Sequence, residues 1–257
     1  MKSNRVNYDE ISPEYDRRYS ATLPNRGKAL IELVSRHRAK RILEVGCGTG
    51  YWLAALHSVA PHLYGLDLST GMLTQAQKRD ASLRLVHGVA TQLPFDRGWF
   101  DFVFCVDAIH HFGEPRDFIA EAFRILRPEG IFAIVGSDPR CDRWYVYDYF
   151  EGVYATDWAR FPSCGTLVEW VSAEGFNRAE SKNVEHIQDF HYGRNVLDDP
   201  FLRKNSCSQL ALLSNNAYQT GIAKIETALR NAESRGATLI FRTELFIHML
   251  VGYKPAS

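Results

Sequence analysis

The 257-residue chain has no excess of either charge: 30 Lys and Arg stand against 30 Asp and Glu. No net basic field is available to hold a polyanion, so nucleic acid is not an expected partner. Long apolar runs are missing as well. No stretch approaches the length of a bilayer-spanning helix, and the polar opening "MKSNRVNYDEISPEYDRRYS" holds no apolar signal core, so the expectation is a cytoplasmic protein with no membrane span. Cysteine is sparse. Cys47, Cys105, Cys141, Cys164 and Cys207 stand singly with no CxxC pair, which argues against a disulfide frame or a zinc knuckle. Repeats, low-complexity stretches and long linkers are absent too, so residues 1–257 are expected to form one domain.

What the chain does have is alternation. Apolar runs at 41–45 ("RILEV"), in "HLYGLDLS", "LRLVHG" and "FDFVFCVDAIHHF", and in "GIFAIVGS" are separated by amphipathic stretches. The first of these, "RGKALIELVSRHR", places Leu30, Leu33 and Val34 on one helical face. Such a rhythm predicts α/β architecture: a doubly wound, mainly parallel sheet. After Asp138 the rhythm breaks. Residues 142–161 and 164–174 read as helical, and "FNRAESKNVEHI" and "ATLIFRTELFIHMLVGYK" read as strands. Between those strands, residues 190–236 read as a helical cap inserted before the last strand, with Ile225, Ala228, Leu229 and Ala232 sharing a face.

Three glycines, Gly46, Gly48 and Gly50, follow the first predicted strand at alternate positions. At the carboxyl end of such a strand, glycines allow a tight turn and bring a ligand against bare backbone. Asp67 ends the second predicted strand, 21 residues after Gly46. A carboxylate there can accept hydrogen bonds from both hydroxyls of a ribose, so a nucleoside is implied. The spacing is G-x-G-x-G rather than the G-x-G-x-x-G of a dinucleotide site, and bulky Trp52 follows where a compact helix start is needed. This argues against a nicotinamide-dependent enzyme.

The stretches "ILEVGCGTGYW", "LYGLDLSTGML", "HGVATQLPFDRGWFDFVFCVDAIHHF" and "EAFRILRPEGIFAIVGS" resemble, in order and spacing, the motifs of class I S-adenosylmethionine-dependent methyltransferases. Within that class they are most similar to the small-molecule branch that includes the ubiquinone and menaquinone C-methyltransferases. The resemblance covers about residues 40–137. It implies a seven-stranded Rossmann-like methyltransferase fold, S-adenosyl-L-methionine as cofactor, and methyl transfer by in-line displacement to a small-molecule O, S, N or C acceptor. It further implies that Gly46, Gly48 and Gly50 line the methionine part of the cofactor, that Asp67 holds the ribose, and that Leu68 and Met72 flank the adenine opposite Ala90 and Thr91. One position departs from the family: Val89 stands where an Asp usually meets the adenine amino group, and its side chain cannot accept that hydrogen bond. "YDEISPEYDRRY" resembles the branch's lid, assigned to residues 1–25. Tyr8, Tyr15 and Tyr19 suit either a lid or ordinary helix packing.

The candidate catalytic residues are His111, as general base or orienting partner, and His110 as the less favoured alternative. Both leave the carboxyl end of a buried strand, where open α/β sheets keep their ligands. Tyr15, Tyr19, Phe190 and Tyr192 are the candidate acceptor-binding aromatics. No metal is expected: His110, His111 and Asp107 lack ligand spacing, and methyl transfer needs none. The cysteine contexts of arsenite methyltransferases are not found around Cys47, Cys141 or Cys207. A noncatalytic nucleoside-binding protein would show the same glycines and Asp67.

Overall fold

The computed structural model describes residues 6–13, 15–18 and 24–256. A short helix α1 (Tyr8–Ile11) and a 3-10 turn at Tyr15–Arg18 precede α2 (Asn25–His37). The alternating core follows as β1 (Arg41–Val45), α3 (Tyr51–Ala55), β2 (His62–Asp67), α4 (Thr70–Arg79), β3 (Arg84–His87), β4 (Phe100–Val106), α5 (Pro115–Ile125) and β5 (Leu126–Ser137). Then come β6 (Arg143–Trp144), α6 (Tyr145–Tyr149), α7 (Val153–Arg160), α8 (Cys164–Ala173), β7 (Asn177–Tyr192), α9 (Ser208–Ala211), α10 (Asn215–Glu233) and β8 (Ile240–Tyr253).

β1 to β5 are parallel in the order β3-β2-β1-β4-β5, and β8 joins β5 antiparallel. β7 runs along one edge of β8 over its whole length, while β5 and the two-residue β6 share the other edge. Among the described residues the sheet therefore has eight strands rather than seven, the addition being β6. The fold is otherwise the expected doubly wound, mainly parallel sheet.

Alternating residues of the central strands feed two cores. Val103 and Cys105 of β4 pack with Leu43 and Val45 on one face; Phe102, Phe104 and Val106 pack with Ile42 and Trp52 on the other. Strands buried on both faces read as continuous apolar runs, which is why these were legible. The helix at 115 stops at Ile125, and the chain pairs with β4 from Leu126. Pro128 disfavours helical backbone at the residue before it.

The helical stretch expected over 142–161 is interrupted. Gly152 takes φ +78 and separates α6 from α7. A third core, with Tyr145, Val146, Phe150, Ile225, Leu229 and Phe241, holds α10 against α6. The approach is close: a Cβ on Gly221 would fall 2.2 Å from the Phe150 ring.

Candidate active site

The glycine turn after β1 is built as the spacing implies. Gly46 and Gly50 both have φ +72 and Gly48 has φ +52, the left-handed region that favours glycine. A Cβ on Gly46 would come within 2.7 Å of the Ala108 Cβ, whereas one on Gly48 would meet nothing within 4 Å among the described residues. Gly46 thus lets the turn approach β4, and Gly48 presents bare backbone to open space. That space is a cavity of about 570 Å³ lined by Gly46, Gly48, Asp67, Leu68, Met72, Ala90 and Thr91, together with Val89. Gly50 does not line it; this glycine caps α3 against Ala76 and Leu83.

Asp67 ties the two loops at this end of the sheet together. Its Oδ2 accepts the Gly48 N–H at 2.8 Å and its Oδ1 the Ser69 N–H at 2.9 Å. A carboxylate has about four lone-pair sites, so acceptor capacity remains for a further donor in the cavity. Burial pushes the Asp67 carboxyl above its usual range, and the three backbone N–H donors around it oppose that shift.

Glu44 was missed in the sequence. It sits in β1 between Leu43 and Val45, 1% exposed, and lines the same cavity. Its Oε2 is buried with no hydrogen-bond partner among the described residues. Burial, with Asp67 nearby, holds the carboxyl well above the usual range. A charged residue inside an apolar strand, directly before the glycine turn, was the available signal. The folded protein retains a proton that the unfolded chain releases, so this group makes stability fall as pH rises from the ordinary carboxylate range toward its folded pKa. Thermal melts of ligand-free protein across about pH 5 to 8 should show a steeper decline for wild type than for Glu44→Gln. Parallel curves would contradict this assignment.

The N-terminal segment is docked over the cavity. Asp9 Oδ1 accepts from Ser69 Oγ and from the Gly71 N–H, both at 2.7 Å, and these bonds hold its carboxyl below the usual range. Asp16 accepts from Thr49 Oγ1 at 2.6 Å and pairs with Arg79. Tyr8 and Tyr15 line the cavity, while Tyr19 lies outside the described residues. Gly71 makes the docking sterically possible, since a Cβ there would lie 2.8 Å from Ser12 Oγ and 3.1 Å from the Asp9 Cα. Gly71→Leu should therefore displace α1, lowering kcat/KM by about tenfold or more while the melting temperature moves little. Full activity in that variant would remove the lid role.

Beyond this wall lies a second cavity of about 380 Å³. Tyr8, Tyr15, Trp52, Asp107 and His111 line both cavities. Asp107, at the carboxyl end of β4, has φ +49, uncommon for a residue with a side chain. Its Oδ2 accepts from Arg26 at 2.9 Å, and Arg26 also donates to Glu185 at 2.5 Å. The two histidines divide. The turn Ile109–His111 is anchored by buried Ile109; His110 stacks on Phe161 with centroids 3.7 Å apart and faces the second cavity, not the first. His111 stands at the junction, its Nε2 2.8 Å from the Tyr8 hydroxyl.

Phe190 and Tyr192 are brought to neither cavity; they are 42% and 55% exposed. The predicted strand ended at 187, but β7 runs on to Tyr192. Side chains alternate along a strand, and Glu185, Ile187 and Asp189 are the ones that line the second cavity. Positions 190 and 192 fall on the opposite face. Phe201, from the cap, does reach this cavity.

A parallel sheet with a glycine turn, a buried acid and a roofed cavity at its carboxyl edge puts the candidate site where open α/β sheets keep their ligands. The chain belongs to the class I S-adenosylmethionine-dependent methyltransferases, and its reaction is methyl transfer to a small-molecule acceptor. Residues 43–134 match the family described as a methyltransferase domain. A demethylmenaquinone methyltransferase of Clavibacter sepedonicus is 31% identical over 211 residues, covering 69% of this chain and 83% of that protein. The YcgJ protein of Bacillus subtilis superposes with TM-score 0.61 at 18% identity, over 90% of this chain and 98% of its own. Phosphoethanolamine N-methyltransferase 2 of Haemonchus contortus, in complex with S-adenosyl-L-methionine, superposes with TM-score 0.61 at 20% identity, over 96% of this chain and 57% of its own. These two likenesses speak to the fold. Among the described residues no helix is long and apolar enough to cross a membrane.

Proposed function

We propose that the larger cavity receives S-adenosyl-L-methionine, that the smaller one receives the acceptor, and that the methyl group crosses where they share Tyr8, Tyr15, Trp52, Asp107 and His111. The shared wall is the observation that carries this reading. The bound cofactor supplies a methyl group on a cationic sulfur, already activated toward a nucleophile.

The chain's own residues bind, orient and exclude water. Asp67 accepts the ribose hydroxyls. Glu44 takes the α-ammonium of the methionine portion, which gives its buried, partnerless oxygen a counter-charge. Leu68 and Met72 lie on one side of the adenine, Ala90 and Thr91 on the other. Val89, 43% exposed at the cavity wall, offers only apolar contact there. His111 accepts a proton from the acceptor or orients it, with Tyr8 fixing the imidazole. The docked N-terminal segment, within the proposed lid of residues 1–25, keeps water from the sulfonium together with the cap at 190–236. The even charge balance supports a small acceptor rather than nucleic acid, and five free cysteines are in keeping with a cytoplasmic setting.

Incubating the protein with methyl-labelled S-adenosylmethionine and a metabolite extract tests the reading. A labelled small molecule should appear, and its formation should depend on His111. Cofactor binding without any labelled product would favour a noncatalytic nucleoside-binding role.

A further inference from the structure

The acceptor cavity carries its own chemical signature. Its floor is the β7–β8 ribbon: Thr243 pairs directly with Trp144 on one side and with Asp189 on the other, so these three side chains share one face. Thr243 is 8% exposed, and its hydroxyl hydrogen-bonds to no group among the described residues. It lines the cavity, so its hydroxyl is available to an occupant.

Five carboxylates reach the chamber, from Asp107, Asp142, Glu185, Asp189 and Asp199. Among the described residues one arginine lines it, Arg26, and it pairs with Asp107 and Glu185. Asp199 accepts from the Tyr145 hydroxyl at 2.6 Å and from the Phe201 N–H at 2.8 Å. His191 Nε2 lies 3.3 Å from Asp189 and 3.4 Å from Asp199. Asp142 is different: its Oδ1 accepts the Phe246 N–H at 2.9 Å, and no cation among the described residues pairs with it. Burial pushes its carboxyl up to about 7, with Asp138 and Asp157 adding to the shift. The rings of Trp144, Tyr147 and Phe161 complete the wall. Aromatic faces beside the one carboxylate without a cation among the described residues, Asp142, favour a cation over a neutral or anionic guest.

We infer that the methyl acceptor carries a cationic nitrogen, seated between Asp142, Asp189 and the Thr243 hydroxyl and flanked by Trp144 and Tyr147. The inference rests on the smaller cavity being the acceptor site. An ammonium there donates hydrogen bonds to Asp142 and to Thr243 Oγ1, and gives the buried carboxylate the counter-charge that the chain does not provide. The cap residues Phe201 and Cys207 close over its apolar portion.

The test uses intact protein saturated with S-adenosylhomocysteine and titrated with three probes of similar shape: benzylammonium, benzyl alcohol and benzoate. Benzylammonium should bind about tenfold or more tightly than benzyl alcohol, with benzoate weaker still. Asp142→Asn, which keeps an acceptor for the Phe246 N–H, should bring the first ratio close to one without changing S-adenosylhomocysteine affinity. Thr243→Val should weaken benzylammonium and leave benzyl alcohol unchanged. Absence of benzylammonium binding, equal binding of all three probes, or a preference undiminished in Asp142→Asn would overturn the inference. The underlying reading has a separate readout: benzylammonium that binds with the expected preference but does not slow formation of labelled product from methyl-labelled S-adenosylmethionine and the metabolite extract would place the acceptor elsewhere, and failure of S-adenosylhomocysteine to bind would count against the cofactor cavity.

Discussion

Asp67→Ala should weaken S-adenosylhomocysteine binding by about 1.5 to 3 kcal/mol, the cost of removing a buried, charge-assisted acceptor. Two effects combine. The ribose loses its partner, and the Gly48 and Ser69 N–H groups lose the carboxylate that holds the loops after β1 and β2 together. Asp67→Asn separates them, since it keeps one acceptor oxygen and should fall between wild type and alanine. The pH dependence follows from the same burial. Because the Asp67 carboxyl is held above its usual range, ligand affinity should begin to fall, as pH is lowered, sooner than an exposed aspartate would dictate. Titration calorimetry across pH reads both effects, and an Asp67→Ala variant with wild-type affinity would remove Asp67 from the ribose.

His111→Ala should lower kcat by about 10² to 10⁴ while leaving S-adenosylhomocysteine affinity nearly unchanged. His111 borders both cavities and meets the Tyr8 hydroxyl at 2.8 Å, so loss of the imidazole removes both the proposed proton acceptor and one of the contacts that hold α1. Tyr8→Phe isolates the second contribution, because it keeps the imidazole and breaks only the hydrogen bond. His110→Ala should cost much less; that ring stacks on Phe161 and does not line the larger cavity. The pH–rate profile of His111→Ala should also lose the limb contributed by the imidazole. Near-wild-type kcat in His111→Ala would leave proximity and water exclusion as the whole of the catalysis.

The lining of the larger cavity was legible because its signals are local. Glycines at alternate positions can be read as a turn behind an apolar strand, and Asp67 follows at the interval that one βαβ unit sets. Glu44 shows the limit of that approach: an acid flanked by Leu43 and Val45 is as easily taken for a strand-edge residue until the cavity beside it is seen. The smaller cavity is built differently. Thr243 meets Asp189 and Trp144 only because β8 returns, after the whole of the cap, between β7 and β6. Such a meeting across so much sequence leaves no local trace. β7 is polar along most of its length, so its end and its inward face could not be read from apolar alternation. A shift of one residue exchanges the two faces of a strand, and that exchange separates Phe190, which points away, from Asp189, which points in. His110 and His111 were placed correctly at the end of β4, but only the 3-10 turn, which sends consecutive side chains in different directions, tells them apart.

Titration calorimetry of the intact protein with S-adenosylhomocysteine, and separately with NAD, tests most directly whether the glycine turn, Glu44 and Asp67 form a methyltransferase cofactor site. The predicted result is saturable binding of S-adenosylhomocysteine, weakened in Asp67→Ala, with no comparable response to NAD. Tight NAD binding with no response to S-adenosylhomocysteine would contradict it.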